Sequence, residues 1–149
     1  MPVGEICTRD VAVADRSTTI QEAAQLMRHH HVGNVVVVDK QDGKRIPVGI
    51  VTDRDIAVSV VATKLDAAIF TVGDLVMQKV TTCQEDEGVL ECIQKMRRKG
   101  IRRMPVVDRE GNLAGIIAVD DVIQLLAEEM NGIGKLIARE QVWEAEHKR

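Results

Sequence analysis

Apolar residues recur at i, i+3, i+4 and i+7 in two stretches: Ile20, Ala23, Ala24 and Met27, then Val89, Cys92, Ile93 and Met96. This spacing predicts an amphipathic helix in each stretch. A short strand precedes each helix, at Val11-Ala12-Val13 and at Val80-Thr81-Thr82. An apolar strand follows each, from Asn34 to Val38 and from Arg103 to Val107. Asp42-Gly43 and Glu110-Gly111 then turn the chain into further strands, Pro47 to Val51 and Leu113 to Ile117. Second helices are predicted to start near Asp53 and Val119.

The two series are copies of one block. Val3-Gly4-Glu5-Ile6 returns 69 residues later as Val72-Gly73-Asp74-Leu75, and Val37-Val38-Asp39 returns as Val106-Val107-Asp108. Past the first turn the offset falls to 66, so that Gly49-Ile50 meets Gly115-Ile116 and Asp55 meets Asp121. The extra residues lie at Asp42-Gly43, where a hairpin absorbs them at little cost. The expected organisation is a first repeat over 1–61, a linker over 62–71, a second repeat over 72–130 and a helical tail over 131–149. The fold class is α/β (α+β): tandem β-α-β-β-α repeats with pseudo-two-fold symmetry, plus a C-terminal helix. A block of about 60 residues buries too little surface to be secure alone. Two copies can cover each other's sheets and leave clefts where they meet.

The composition removes several function classes. With 45% hydrophobic and 29% charged residues and a net charge of −3, the chain has the make-up of a soluble globular protein, with no general attraction for nucleic acid or anionic membrane. Phe70 and Trp143 are the only aromatic residues, so stacking platforms for single strands are missing. No apolar run approaches the roughly 20 residues of a membrane span, and residues 1–5 lack the marks of a signal peptide. Cys7, Cys83 and Cys92 match no zinc or redox spacing and read as reduced thiols at packing positions in a cytoplasmic protein. No nucleophile elbow, phosphate-binding loop or dinucleotide glycine pattern is present, so no catalytic residue is assigned. His29-His30-His31 cannot converge on one ion from consecutive helical positions, and no metal site is expected.

Gly49-Ile50-Val51-Thr52-Asp53-Arg54-Asp55 and Gly115-Ile116-Ile117-Ala118-Val119-Asp120-Asp121 stand at the same place in each repeat. Together with Met27 and Met96 near helix ends and the strand Arg103-Met104-Pro105-Val106-Val107-Asp108, these motifs resemble the CBS domain pair. That family is named after the regulatory region of cystathionine β-synthase and is also called the Bateman module; the likeness is to its stand-alone bacterial form and spans about residues 3–130. The resemblance implies a regulatory module that binds AMP, ADP, ATP or S-adenosylmethionine between the repeats and signals to a partner protein. It implies a homodimer formed through the helices and requires no cofactor. In such proteins the signature Asp bonds the ribose hydroxyls and the Thr contacts phosphate, which points to Thr52, Asp55 and Asp121. Alanine at 118 departs from the signature and weakens the second copy. Arg103 or Arg102 could reach a phosphate. Val80, Thr81 and Pro105 complete the candidate ligand-binding set.

The residues also allow a plainer reading. Thr52 and Asp55 have the spacing of a helix capping box, and from sequence the two readings weigh about evenly. Asp121 tips the balance slightly toward a ligand, because Ala118 cannot cap. A ligand-free dimerisation module therefore stays open as the alternative function. The tail is either one long helix or a helix bent at Gly132 and Gly134, packed on its own domain or on a second chain, with Trp143 as anchor.

Overall fold

The computed structural model describes residues 1–147. Each repeat folds into a three-stranded sheet carrying helices on one face. The first runs β1 (Val13–Ala14), α1 (Ile20–His30), β2 (Asn34–Gln41), β3 (Lys44–Thr52) and α2 (Asp53–Ile56), with a π-helical turn over Ala57–Val61. A short α3 (Val72–Leu75) opens the second, followed by β4 (Cys83–Gln84), α4 (Val89–Lys99), β5 (Arg103–Val107), β6 (Leu113–Ala118) and α5 (Val119–His147). The strand orders are β1-β2-β3 and β4-β5-β6, parallel at the first step and antiparallel at the second.

Alternation along the strands builds three cores. Val35 and Val37 face α1 and pack with Ala23 and Met27, while Val36 and Val38 face the other sheet and meet Leu113. In the second repeat Met104 and Val106 face α4, against Cys92 and Met96. Being covered on both faces explains why the buried part of β2, Val35 to Val38, is an unbroken run of valines. The helical stripes differ from expectation at one place: Ala24 is exposed, and Leu26 is half-buried in its stead. Thr19 caps α1 by accepting from the backbone of Glu22. Both helices end in the left-handed conformation, at His31 (φ 55°) and at its repeat counterpart Gly100 (φ 65°).

The first strand of each repeat starts later than the sequence suggests, at Val13 and Cys83 rather than at Val11 and Val80. The cause is where each repeat begins. The opening turn of each repeat belongs to the other repeat's core. Val3 is buried with Cys83, Val89 and Met104, and Val72 with Ala12, Ala14 and Val35. The stitching is the same twice over. Val3 N–H donates to Glu87 O (2.8 Å), Gly4 to Glu85 O (2.9 Å), and Val89 to Met1 O (3.0 Å). Val72 donates to Thr18 O (2.8 Å), Gly73 to Arg16 O (3.1 Å), and Ile20 to Phe70 O (3.0 Å). The chain must therefore cross from one sheet to the other before its own parallel pairing can start.

α5 runs unbroken through Gly132 and Gly134, although two interior glycines cost roughly 2 kcal/mol. At about 1.5 Å per residue it is roughly 44 Å long. From Ile123 to His147 only Leu125 is even half-buried, so this part of the tail does not pack on its own domain. No described helix is long and apolar enough to cross a membrane.

Candidate functional site

A cleft of about 480 Å³ opens between the repeats. One wall is the start of β3, at Ile46, Pro47 and Val48; the other is the crossing segment, residues 76–80, with Thr82 and Val107. Its surface is mostly apolar, and Arg16 and Lys79 bring cationic groups to it. Arg16 is held by Asp39 (Nε to Oδ1, 2.9 Å), whereas Lys79 has no ion-pair partner among the described residues.

The candidates from the sequence fall into three places. Val80 lines the cleft; Thr81 does not, and its neighbour Thr82 takes that position. Thr52 and Asp55 stand at the far end of β3, four residues past Val48, which is about 13 Å along a strand. Asp121, Arg103 and Arg102 gather at the corresponding end of the second sheet, where Arg103 is paired with Ala118. Arg102 is exposed and reaches toward Asp120 (3.9 Å). Pro105 is buried opposite Ile116, on the face turned to the other sheet.

Thr52 and Asp55 form a complete capping box. The Asp55 N–H donates to Thr52 Oγ1 (3.1 Å), and the Thr52 N–H donates to Asp55 Oδ2 (2.9 Å). In the second repeat the Ala118 N–H donates to Asp121 Oδ2 (2.8 Å). Asp121 therefore has a structural reason to persist without a threonine, and it no longer counts as a separate sign of a ligand. Both aspartates are half-buried, and the remaining oxygen of each accepts no hydrogen bond from the described residues. Each can still accept from a hydroxyl.

Packing assigns each carboxylate to one side of the molecule. Gly49 of β3 lies under Val76, where a Cβ would stand 2.7 Å from a valine methyl. The strand that ends at Thr52 and leads into Asp55 of α2 therefore supports the crossing segment of the open cleft. Gly115 of β6 lies under Cys7 and Thr8 in the same way. Asp121 thus sits on the side of Cys7, whose thiol burial pushes up and the Asp121 charge pushes up further.

Sequence reasoning missed Arg16, Lys79, Pro47 and Val48. Only Lys79, a cation next to the expected strand at Val80, gave any signal. The histidines at 29–31 are exposed at the end of α1, with the rings of His29 and His30 edge-on at 5.1 Å. Among the described residues no three potential metal ligands come together.

Similar proteins carry the same architecture. Protein MK0525 of Methanopyrus kandleri is 39% identical over 123 residues, 83% of this chain and 61% of that protein. The chain thus spans about three-fifths of that relative's length. The CBS domain protein PAE2072 from Pyrobaculum aerophilum, solved with AMP, superposes with a TM-score of 0.72 at 28% identity, over 81% of this chain and 89% of the other. The CBS domain pair of protein MJ0100, solved with 5′-methylthioadenosine and S-adenosyl-L-methionine, gives 0.73 at 28% identity, over 85% and 99%. The CBS domain model matches residues 3–62 and again 72–128. With both repeats matched and the exchanged two-sheet architecture in place, the chain belongs to the CBS domain family.

Proposed function

We propose that the protein is a regulatory module that takes an adenosine-containing ligand, preferably an anionic one such as AMP, in the cleft between its repeats. The cleft itself carries this reading. Its walls at Ile46, Pro47, Val48, Val80 and Val107 suit a flat heterocycle without aromatic stacking, and the unpaired Lys79 suits a phosphate. Asp55, in α2 just past the end of the same strand, has an oxygen free for a ribose hydroxyl of a ligand that runs along β3. The neighbours solved with AMP and with S-adenosyl-L-methionine support the ligand class. The ligand's effect would pass to a separate effector protein in the cytoplasm, and no chemistry is performed on it.

A thermal-shift panel of AMP, ADP, ATP, S-adenosylmethionine and 5′-methylthioadenosine tests this. A ligand at a hundred times its Kd adds about 2.7 kcal/mol, or roughly 5–10 °C for a chain of this size. AMP should give the largest shift. A flat panel would remove the nucleotide reading and favour a second one, in which the chain is a dimerisation module. The second reading rests on the exposed apolar stripe of α5 at Leu126, Met130, Ile133 and Ile137, each more than half exposed. A homodimer is proposed under both.

A further inference from the structure

The pseudo-two-fold axis relates the open cleft to a second place of equal standing, and the chain treats the two differently. Moving the lining residues to their repeat counterparts turns Val76, Met77, Gln78 and Lys79 into Cys7, Thr8, Arg9 and Asp10. Arg16 becomes Glu85, and Pro47 and Val48 become Leu113 and Ala114. At this second place Thr8 and Ile116 exchange both backbone hydrogen bonds at 2.9 Å, and Leu113 is buried between the sheets. Arg9 lies across it. Its guanidinium donates to Gly4 O (2.7 Å), Ala114 O (3.2 Å) and Glu85 Oε2 (3.1 Å).

Pro47, the counterpart of Leu113, is buried as well, but the backbone bridge and the arginine are not repeated at the open cleft. Among the described residues no bridge joins Met77 to Ile50, and Met77 is 85% exposed. The counterparts of Arg9 and Glu85 are Gln78 and Arg16. They carry no opposite charges, and Arg16 is engaged with Asp39. The signature follows the same division. The shut side holds Asp121 with Ala118, and the open side holds the full Thr52 and Asp55 pair.

We propose that Arg9 is a plug: by bridging Glu85 and the carbonyl oxygens of Gly4 and Ala114 it holds the second cleft shut, so that each chain takes one nucleotide where the fold has two places. An exposed ion pair alone would be a weak latch. The two bonds to backbone carbonyls give it a fixed geometry. The stoichiometry rests on the nucleotide reading above; the plug does not.

Cys7 reports the plug without any ligand, because its thiol and the Arg9 guanidinium both point at Gly4 O (3.7 and 2.7 Å). In a Cys83→Ala/Cys92→Ala background, Arg9→Gln, which copies Gln78, should speed maleimide labelling of Cys7 at least tenfold. Removing the Arg9 charge would by itself raise the Cys7 pKa further and slow the reaction, so acceleration reports access. Glu85→Gln keeps Arg9 and removes its ionic partner. Because the Glu85 charge raises the Cys7 pKa, this variant also favours the thiolate. Its rate is therefore compared with the parent's after both are divided by the thiolate fraction from a pH titration of labelling. It should still act in the same direction by less, which guards against a folding defect in the first variant. The counterpart of Lys79 is Asp10, so in calorimetry AMP should give one event per chain with the parent and two with Arg9→Gln/Asp10→Lys, which opens the place and restores its cation. Unchanged labelling overturns the plug whatever AMP does. Faster labelling with a single AMP event overturns the stoichiometry. Faster labelling with no AMP binding to either protein keeps the plug and overturns the nucleotide reading.

Discussion

Gly73 donates its N–H to the carbonyl oxygen of Arg16 at 3.1 Å, and a Cβ on Gly73 would stand 2.7 Å from that same oxygen. The neighbour is backbone and cannot turn aside. Gly73→Ala should therefore push the opening turn of the second repeat out of the first repeat's core, at a cost of about 1–3 kcal/mol. Urea denaturation measures it; an unchanged midpoint would mean that the exchanged turn is loosely held.

Thr52 and Asp55 cap a helix and, in the proposed function, Asp55 also holds ribose. The two roles separate by substitution. Thr52→Ala should cost about 1 kcal/mol of stability through the lost cap. Asp55→Ala should cost a similar amount and also weaken AMP binding about tenfold or more, since a hydrogen bond to a charged group contributes about 1.5–3 kcal/mol. Asp121→Ala, on the shut side, should lower stability and leave AMP affinity unchanged. Equal AMP affinity in Asp55→Ala and the parent would reduce Asp55 to a cap.

Burial pushes the thiols of Cys83 and Cys92 above the ordinary thiol range. The folded chain holds these protons more tightly than the unfolded chain does. The stabilisation is thus fully present below the unfolded thiol pKa, roughly 8.5, and is lost as pH rises past it. Denaturation midpoints from pH 7 to 10 should fall more steeply for the parent than for Cys83→Ala/Cys92→Ala. That variant places in the second repeat the residues the first already has, Ala14 and Ala23. Parallel curves would show that the thiols do not set the alkaline limit.

The stripe on α5 gives a prediction about mass. Light scattering should report a dimer of twice 16.4 kDa, and Ile133→Glu, at the centre of the stripe, should convert it to a monomer. Trp143, half exposed and stacked on His147 at 4.7 Å, should show a red-shifted fluorescence on dissociation. A parent that is monomeric at micromolar concentration would leave the stripe without its proposed cover.

Much of the fold was legible because burial leaves a period in the sequence. Ile20, Ala23 and Met27, and Val89, Cys92 and Met96, are buried where their spacing predicts. What the period cannot say is which core a residue enters. Val3 and Val72 read as apolar in both copies, yet each is claimed by the opposite repeat, and that exchange also delayed β1 and β4. The cleft was less legible still. The difference between the two places, Arg9 meeting Glu85 at one and Gln78 not meeting Arg16 at the other, lies in pairings across 76 and 62 positions that no local pattern records. The persistence of Asp121 misled for a related reason: a carboxylate can cap a backbone N–H without help from a hydroxyl.

The exchanged opening turns bear on how the chain is made. As it leaves the ribosome, the first repeat emerges with the place for Val72 empty and Val3 without a partner. Neither half can close until the linker and the second opening turn have arrived. A cut in the linker would yield two fragments, each carrying a plug for the other and a hole of its own. Mixed together they should assemble, and kept apart they should not.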